Sequence, residues 1–175
     1  MSVDRILASI PNASREKRKQ MRLNVLEKLE ANDAGWAAQA RMVLAALDAQ
    51  ERTEYADLLT EVAALAPAER VLKAFTAEPM TETEEKLIRV LIDNPGSASG
   101  ELTEKLGWKA QSWHLHFGMM CANRGVYLGP PPAASLPSGK FYSGILADFD
   151  GDGNRFTMKP DVEAAFERLG LRKRG

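Results

Sequence analysis

What this chain has little of narrows its character more than what it has in plenty. It carries one cysteine, Cys121, so no intramolecular disulfide can form and no cysteine-based zinc cluster can assemble. It carries two histidines, His114 and His116. Two residues apart on a helix, they point in widely different directions and cannot easily share one metal ion. No apolar run approaches the roughly 20 residues that a bilayer-spanning helix requires. The opening Met1 to Ser14 sets Asp4 and Arg5 before a short apolar run, unlike the basic-then-apolar layout of a secretory leader. A soluble, cytoplasmic protein without a membrane partner is therefore expected. Neither sign of charge prevails, with 23 Lys and Arg against 24 Asp and Glu and a net charge of −1. Bulk attraction to nucleic acid or anionic lipid is excluded by that balance, and any polyanion binding requires a local patch. Glycine-rich phosphate loops, dinucleotide fingerprints and the G-x-S-x-G elbow are all missing. Cys121 lies seven residues after His114, about two helical turns, too far for a nucleophile–base hydrogen bond. The chain reads as a non-enzyme that holds neither cofactor nor metal.

What is present is enough apolar material for a core, 45% of 175 residues, in one compact domain or two small ones. The first part is helical by pattern. Asn12 or Ser14 caps a helix running to about Ala31, with Met21, Leu23, Val25, Leu26 and Leu29 as its apolar positions. A second pattern runs through Trp36, Ala40, Val43, Leu44 and Leu47. A third, from about Glu51, uses Tyr55, Leu58, Leu59, Val62 and Leu65. Pro67 then suits the first turn of another helix over "AERVLKAF". Pro79 marks a seam, so a helical bundle or hairpin region over 1–79 and a second domain over 80–175 are expected. Beyond the seam, Thr81 and Glu84 have the spacing of a capping box, with Leu87, Ile88, Val90, Leu91 and Ile92 behind it. Short helices over "SGELTEKLGW" and "KAQSWHLHFGMMCANRG" follow, then a proline-rich loop, Gly129 to Gly139. "FYSGILADF" and "RFTMK" read as strands, and a last helix starts at Pro160 with Val162, Phe166 and Leu169 facing inward. The fold class is mainly α with a small antiparallel β-hairpin.

The turn between the strands, "DFDGDGNRF", has the alternating Asp148, Asp150, Asp152 and the Gly153 of a calcium loop. A working loop of that kind needs a bidentate carboxylate at its twelfth position, and Lys159 stands there. Asp-Gly and Gly-Asn instead supply the positive φ that a hairpin turn demands.

Three helices followed by a two-stranded hairpin make the order of the winged helix-turn-helix superfamily, and "GELTEKLGWKAQSWHLHFGMMCANRGV" resembles its central helix-turn-helix. On that resemblance Leu102 and Leu106 pack the second helix, Gly107 makes the turn, and Leu115, Met119 and Cys121 anchor the third helix. The resemblance covers the last hundred residues or so and implies a DNA-binding, transcription-regulator-like protein whose third helix enters the major groove of double-stranded DNA. Lys105, Lys109, Gln111, Ser112 and His116 then lie at or near the start of that helix, where Gln and Lys can reach base edges and Ser can reach phosphate. Arg155 sits on the hairpin, and Arg172, Lys173 and Arg174 form a basic tail able to follow a backbone. Paired half-sites call for two copies, which points to a homodimer through the N-terminal helices. A competing reading is a winged-helix adaptor that binds protein, with Trp113, His114 and Phe117 as its aromatic anchor if they are exposed. If Trp113 and Phe117 are buried instead, the helix keeps only its polar side outside and the DNA reading gains. These residues replace the small polar and basic side chains usual in a recognition helix. A last candidate is "REKRKQMR", where Arg15, Lys17, Arg18, Lys19 and Arg22 oppose the helix dipole and so suggest a partner, either acidic protein or phosphate.

Overall fold

The computed structural model describes residues 3–30, 35–109, 112–133 and 140–172. Its elements run α1 (Val3–Ser9), α2 (Arg15–Glu30), α3 (Ala37–Ala64), α4 (Pro67–Ala77), α5 (Glu82–Asp93), β1 (Ser97–Ala98), α6 (Ser99–Lys105), α7 (Trp113–Asn123) and α8 (Gly125–Leu128). A 3₁₀ turn (Tyr142–Ile145), the hairpin β2 (Ala147–Asp150) and β3 (Arg155–Met158), and α9 (Pro160–Arg168) complete it. The chain divides into two compact units, residues 1–60 and 61–175. The division falls earlier than the expected seam at 79, because α4 buries Val71, Ala74 and Phe75 in the core of the second unit.

In the first unit Ile10, Val25, Ala40, Val43 and Leu47 form the core, flanked by Leu7, Met21 and Leu29. Ser14 begins α2 by accepting a hydrogen bond from the Lys17 N–H. The two helices expected around Leu47 and Glu51 are one continuous α3. No glycine or proline interrupts Leu47 to Arg52, so nothing there stops a helix. The basic run at the start of α2 is partly consumed inside this unit. Buried Arg18 donates to the Ala13 carbonyl and, at 2.6 Å, to Glu54. Arg22 meets Asp48 at 2.7 Å and Glu51 at 3.1 Å. Those α3 carboxylates, and Asp48 first of all, raise the already high pKa of Arg22 against the opposing effect of burial. Arg15, Lys17 and Lys19 remain exposed.

The second unit is built around α5. Its capping box is present: the Thr81 hydroxyl accepts from the Glu84 N–H at 3.2 Å, and Glu84 Oε2 accepts from the Thr81 N–H at 2.9 Å. All five apolar positions named for this helix are buried. Glu84 does a second task. Its carboxylate takes Arg124 Nη1 at 2.7 Å and Nη2 at 3.0 Å, while the same guanidinium donates to the Glu78 carbonyl and lies 4.5 Å from the Phe75 ring. Arg124 is only 4% exposed. Burial alone pushes the Glu84 carboxyl up, but Arg124 and the Thr81 N–H outweigh it and hold the carboxyl below its ordinary range. This clasp fixes the end of α7 against the start of α5.

The sheet order is β1-β3-β2, antiparallel throughout, with Phe149 opposite Phe156 and Asp150 opposite Arg155. Residues 151–154 are therefore the tip of a hairpin, as the Asp-Gly spacing requires, and Asn154 takes the positive φ of 51°. Lys159, at the calcium-loop position, turns away and donates to the Gly144 carbonyl at 2.6 Å. β1 joins the far side of β3. Much of "FYSGILADF" is not strand. The 3₁₀ turn occupies its middle because Gly144 is wedged against Phe141 and Pro132, so closely that a Cβ there would lie 2.5 Å from the Phe141 ring. Among the described residues no helix is long and apolar enough to cross a membrane.

Candidate functional site

The site that the fold builds is the outward face of α7 and its surroundings. Which residues point outward is decided by packing at the helix start. Trp113 is fully buried, stacks on Phe117 at 4.6 Å, meets Phe156 edge-on at 5.1 Å, and donates from its indole N–H to the Leu87 carbonyl at 3.0 Å. Burying an indole removes about 150–250 Å² from water, on the order of 4–6 kcal/mol of transfer free energy. That sum sets the rotation of the helix. Trp113, Phe117, Met120 and Cys121 turn inward, and Leu115 and Met119 turn out, 62% and 61% exposed.

Two expectations are thereby corrected. Leu115 and Met119 do not anchor α7 in the core, although Cys121 does. Trp113 and Phe117 cannot serve as an exposed anchor, because both are fully buried; of that trio only His114 reaches the surface. Cys121, enclosed in the same core, has its thiol pushed far up by burial, which removes thiolate character at ordinary pH.

Leu115 and Met119 form one bank of an open groove of about 1280 Å³. Phe149 on β2, 43% exposed, and Phe141 and Tyr142 form the other. Its polar fittings come from α6 and the 3₁₀ turn. The Thr103 hydroxyl accepts from the Trp113 N–H at 3.0 Å, and the Ser99 hydroxyl accepts from the His114 N–H at 3.3 Å. Two α6 hydroxyls thus cap the start of α7, where Ser112, the residue in the cap position, makes no side-chain cap of its own. Ser99 Oγ also lies 2.9 Å from His114 Nδ1, and Ser143 donates to the His114 carbonyl at 3.3 Å. Gly118 permits that last approach, since a Cβ there would meet Ser143 Oγ at 3.2 Å.

The candidate nucleic-acid residues are scattered by comparison. Lys109 and Ser112 line the groove, and Lys109 is exposed. Lys105 sits in a separate shallow depression with Asp93, Glu101 and Glu104. His116 is half-buried against Trp108, ring centres 5.1 Å apart. Arg155 donates to the Gly96 carbonyl at 2.7 Å and lies 3.9 Å from Glu101. Arg172 follows α9, which packs on α4, and is no part of the groove. Gln111, Lys173 and Arg174 lie outside the described residues. Among the described residues no three acidic, histidine or cysteine side chains are placed to hold a metal ion.

Compared with protein-family models, curated proteins and solved structures, the chain finds no match. The groove-lining apolar residues escape notice because α7, "WHLHFGMMCAN", carries apolar residues on both faces, so periodicity alone does not fix its rotation. One signal was available: the phase that buries Trp113 and Phe117 removes far more surface than the phase that buries Leu115 and Met119.

Proposed function

We propose that this chain is a non-enzymatic protein-interaction module on a winged helix-turn-helix frame, docking an apolar segment of a partner in the groove between α7 and the hairpin. The observation that carries the reading is the exposure of Leu115, Met119 and Phe149 around one groove. Fully burying such a side chain contributes roughly 1.5–3 kcal/mol. Since 43–62% of each is still exposed, about half of that, on the order of 1–2 kcal/mol apiece, is left for a partner to supply. The helix order, with β1 added to the hairpin, supports the winged-helix frame. Charge points the same way. The α7 sequence holds no lysine or arginine, and the hairpin carries exposed Asp148, Asp150 and Asp152 where a DNA-binding wing would approach phosphate.

The test is a photo-crosslinking amino acid at position 119, with position 167 on α9 as control, in extract of the source cells. A discrete protein adduct at 119 only, abolished by Leu115→Glu, is the expected result. Equal labelling at both positions, or adducts indifferent to Leu115→Glu, would sink the reading.

Among the described residues the DNA-binding reading is supported by the exposed Lys109 and by Ser112 ahead of α7. Labelled random duplex followed by anisotropy at two salt concentrations separates the two. Binding that weakens steeply with salt and is lost in Lys109→Ala would favour DNA. A homodimer through the N-terminal helices is supported by exposed Leu23, Met42 and Tyr55 in the first unit. Sedimentation equilibrium decides it, a monomer at tens of micromolar being the contrary result.

A further inference from the structure

Ser99 is 8% exposed, and its hydroxyl proton needs an acceptor. Among the described residues, the partners of Ser99 Oγ are the His114 N–H at 3.3 Å and the His114 Nδ1 at 2.9 Å. The N–H can only donate, so it takes a lone pair of the hydroxyl oxygen. The hydroxyl proton is then offered to Nδ1, which accepts it in the tautomer protonated on Nε2. In that arrangement His114 is neutral, and one serine oxygen bridges α6 to both the backbone and the ring of α7. The arrangement has a single weak point. A proton added at Nδ1 converts the acceptor into a donor, so two N–H groups face one oxygen and the hydroxyl proton loses its acceptor.

We propose that Ser99 and His114 form an acid-sensitive clasp that holds the α6 bank of the groove against α7 and releases it when His114 is protonated. Its meaning for binding rests on the groove being the docking surface, whereas the clasp itself is read without any partner. Loss of the clasp loosens the first turn of α6, with Ser99 and Gly100 on the groove wall, while the Thr103 hydroxyl still caps Trp113 and the Trp113 indole bond keeps α7 seated.

The charged surroundings do not pre-empt it. From α6 and the following turn, Glu104 and Lys109 line the same groove; from the 3₁₀ side, Lys140 and Tyr142 do. The hairpin contributes Phe149, Asn154 and Phe156, none titratable near neutrality, and no α5 or α8 side chain lines the groove. At the far end of α7, Glu84 and Arg124 are committed to each other. His116, on the same helix, faces Trp108. Burial is what moves the His114 ring, and it moves it downward from the ordinary value of 6.5.

Because the chain has only two histidines, ring titrations by NMR are assignable with one His116→Gln variant. At pH 7.5 the His114 ring is expected in the Nε2–H tautomer, with a midpoint below 6.5 and the Gly100 and Thr103 amides shifting with that same midpoint. His114→Asn, whose amide oxygen lies one bond from Cγ as Nδ1 does and can accept from Ser99 at any pH, should keep the neutral-pH spectrum and abolish the titration of those amides. The Nδ1–H tautomer, a midpoint at or above 6.5, or Gly100 and Thr103 amides that ignore His114 would each overturn the clasp. None of these results touches the crosslinking test of the groove, so the two ideas fail separately.

Discussion

Replacing Arg124 with methionine should be the most damaging single change of a charged residue in the second unit. Methionine retains much of the apolar stem but removes the guanidinium that faces Glu84, the Glu78 carbonyl and the Phe75 ring. The Glu84 side chain is 15% exposed, so its charge is left largely out of water with only the Thr81 groups as partners. Orphaning one member of a buried pair costs about 3–5 kcal/mol, against a total stability of roughly 5–15 kcal/mol for a domain. At about 4 °C per kcal/mol for a domain near this size, the midpoint falls by some 12–20 °C. Urea and thermal unfolding followed by far-ultraviolet circular dichroism would measure it. The sharper expectation concerns sign. Adding Glu84→Gln to Arg124→Met should restore stability, because a neutral amide can still close the capping box and no charge is left unpaired. The pH dependence should also invert. In the native protein Glu84 titrates below 4.5, so its contribution is present above that value and lost as pH falls through the folded pKa. Without Arg124, burial raises the carboxyl, and acidification through pH 4.5 should instead stabilise the variant. A loss under about 1 kcal/mol, or a double variant less stable than Arg124→Met alone, would refute the assignment of Arg124 and Glu84 as a desolvated pair.

Three further outcomes are expected. Gly144→Ala places a Cβ 2.7 Å from Pro132 Cγ and closer still to Phe141, and overpacking of that kind costs about 1–3 kcal/mol by urea unfolding; an unchanged midpoint would mean that the 3₁₀ turn yields freely. Asn154→Ala at φ 51° should cost about 1 kcal/mol while Asn154→Gly is neutral or better, a pair of thermal melts whose reversal would remove the hairpin-tip argument. For His114 the unfolded ring takes up its proton near 6.5 and the folded ring only below that, so stability declines as pH drops from 6.5 until the folded ring is itself protonated. His114→Gln should flatten that part of the stability profile, which denaturant midpoints at several pH values between 7.5 and 5 would reveal.

Much of the fold was legible because it is written locally. The Thr81–Glu84 box, the proline starts of α4 and α9, and the Asp-Gly turn each need only a few adjacent residues to be recognised. What escaped was short or remote. A two-residue β1 carries no periodicity, and seven-residue α1 ends just ahead of Pro11 with too little pattern to stand out. The lapse of apolar residues between Leu47 and Tyr55 looked like a break, although every residue there is compatible with a helix and Glu51 and Glu54 face Arg22 and Arg18. Arg124 gives no local sign of its role, since its carboxylate partner lies 40 residues earlier. The groove depended on the rotation of a helix with apolar residues on both faces, and tertiary packing of Trp113 against α5 and β3 settled it.

The burial of Cys121 also has a practical bearing. As the sole thiol of the chain, enclosed among α7 core residues and held protonated, it should meet an alkylating reagent only when the second unit opens. Its rate of modification is thus a built-in clock for that opening, blind to fraying of the first unit. Intact-mass spectrometry at timed intervals would read the clock, with no label or added reporter to perturb the protein.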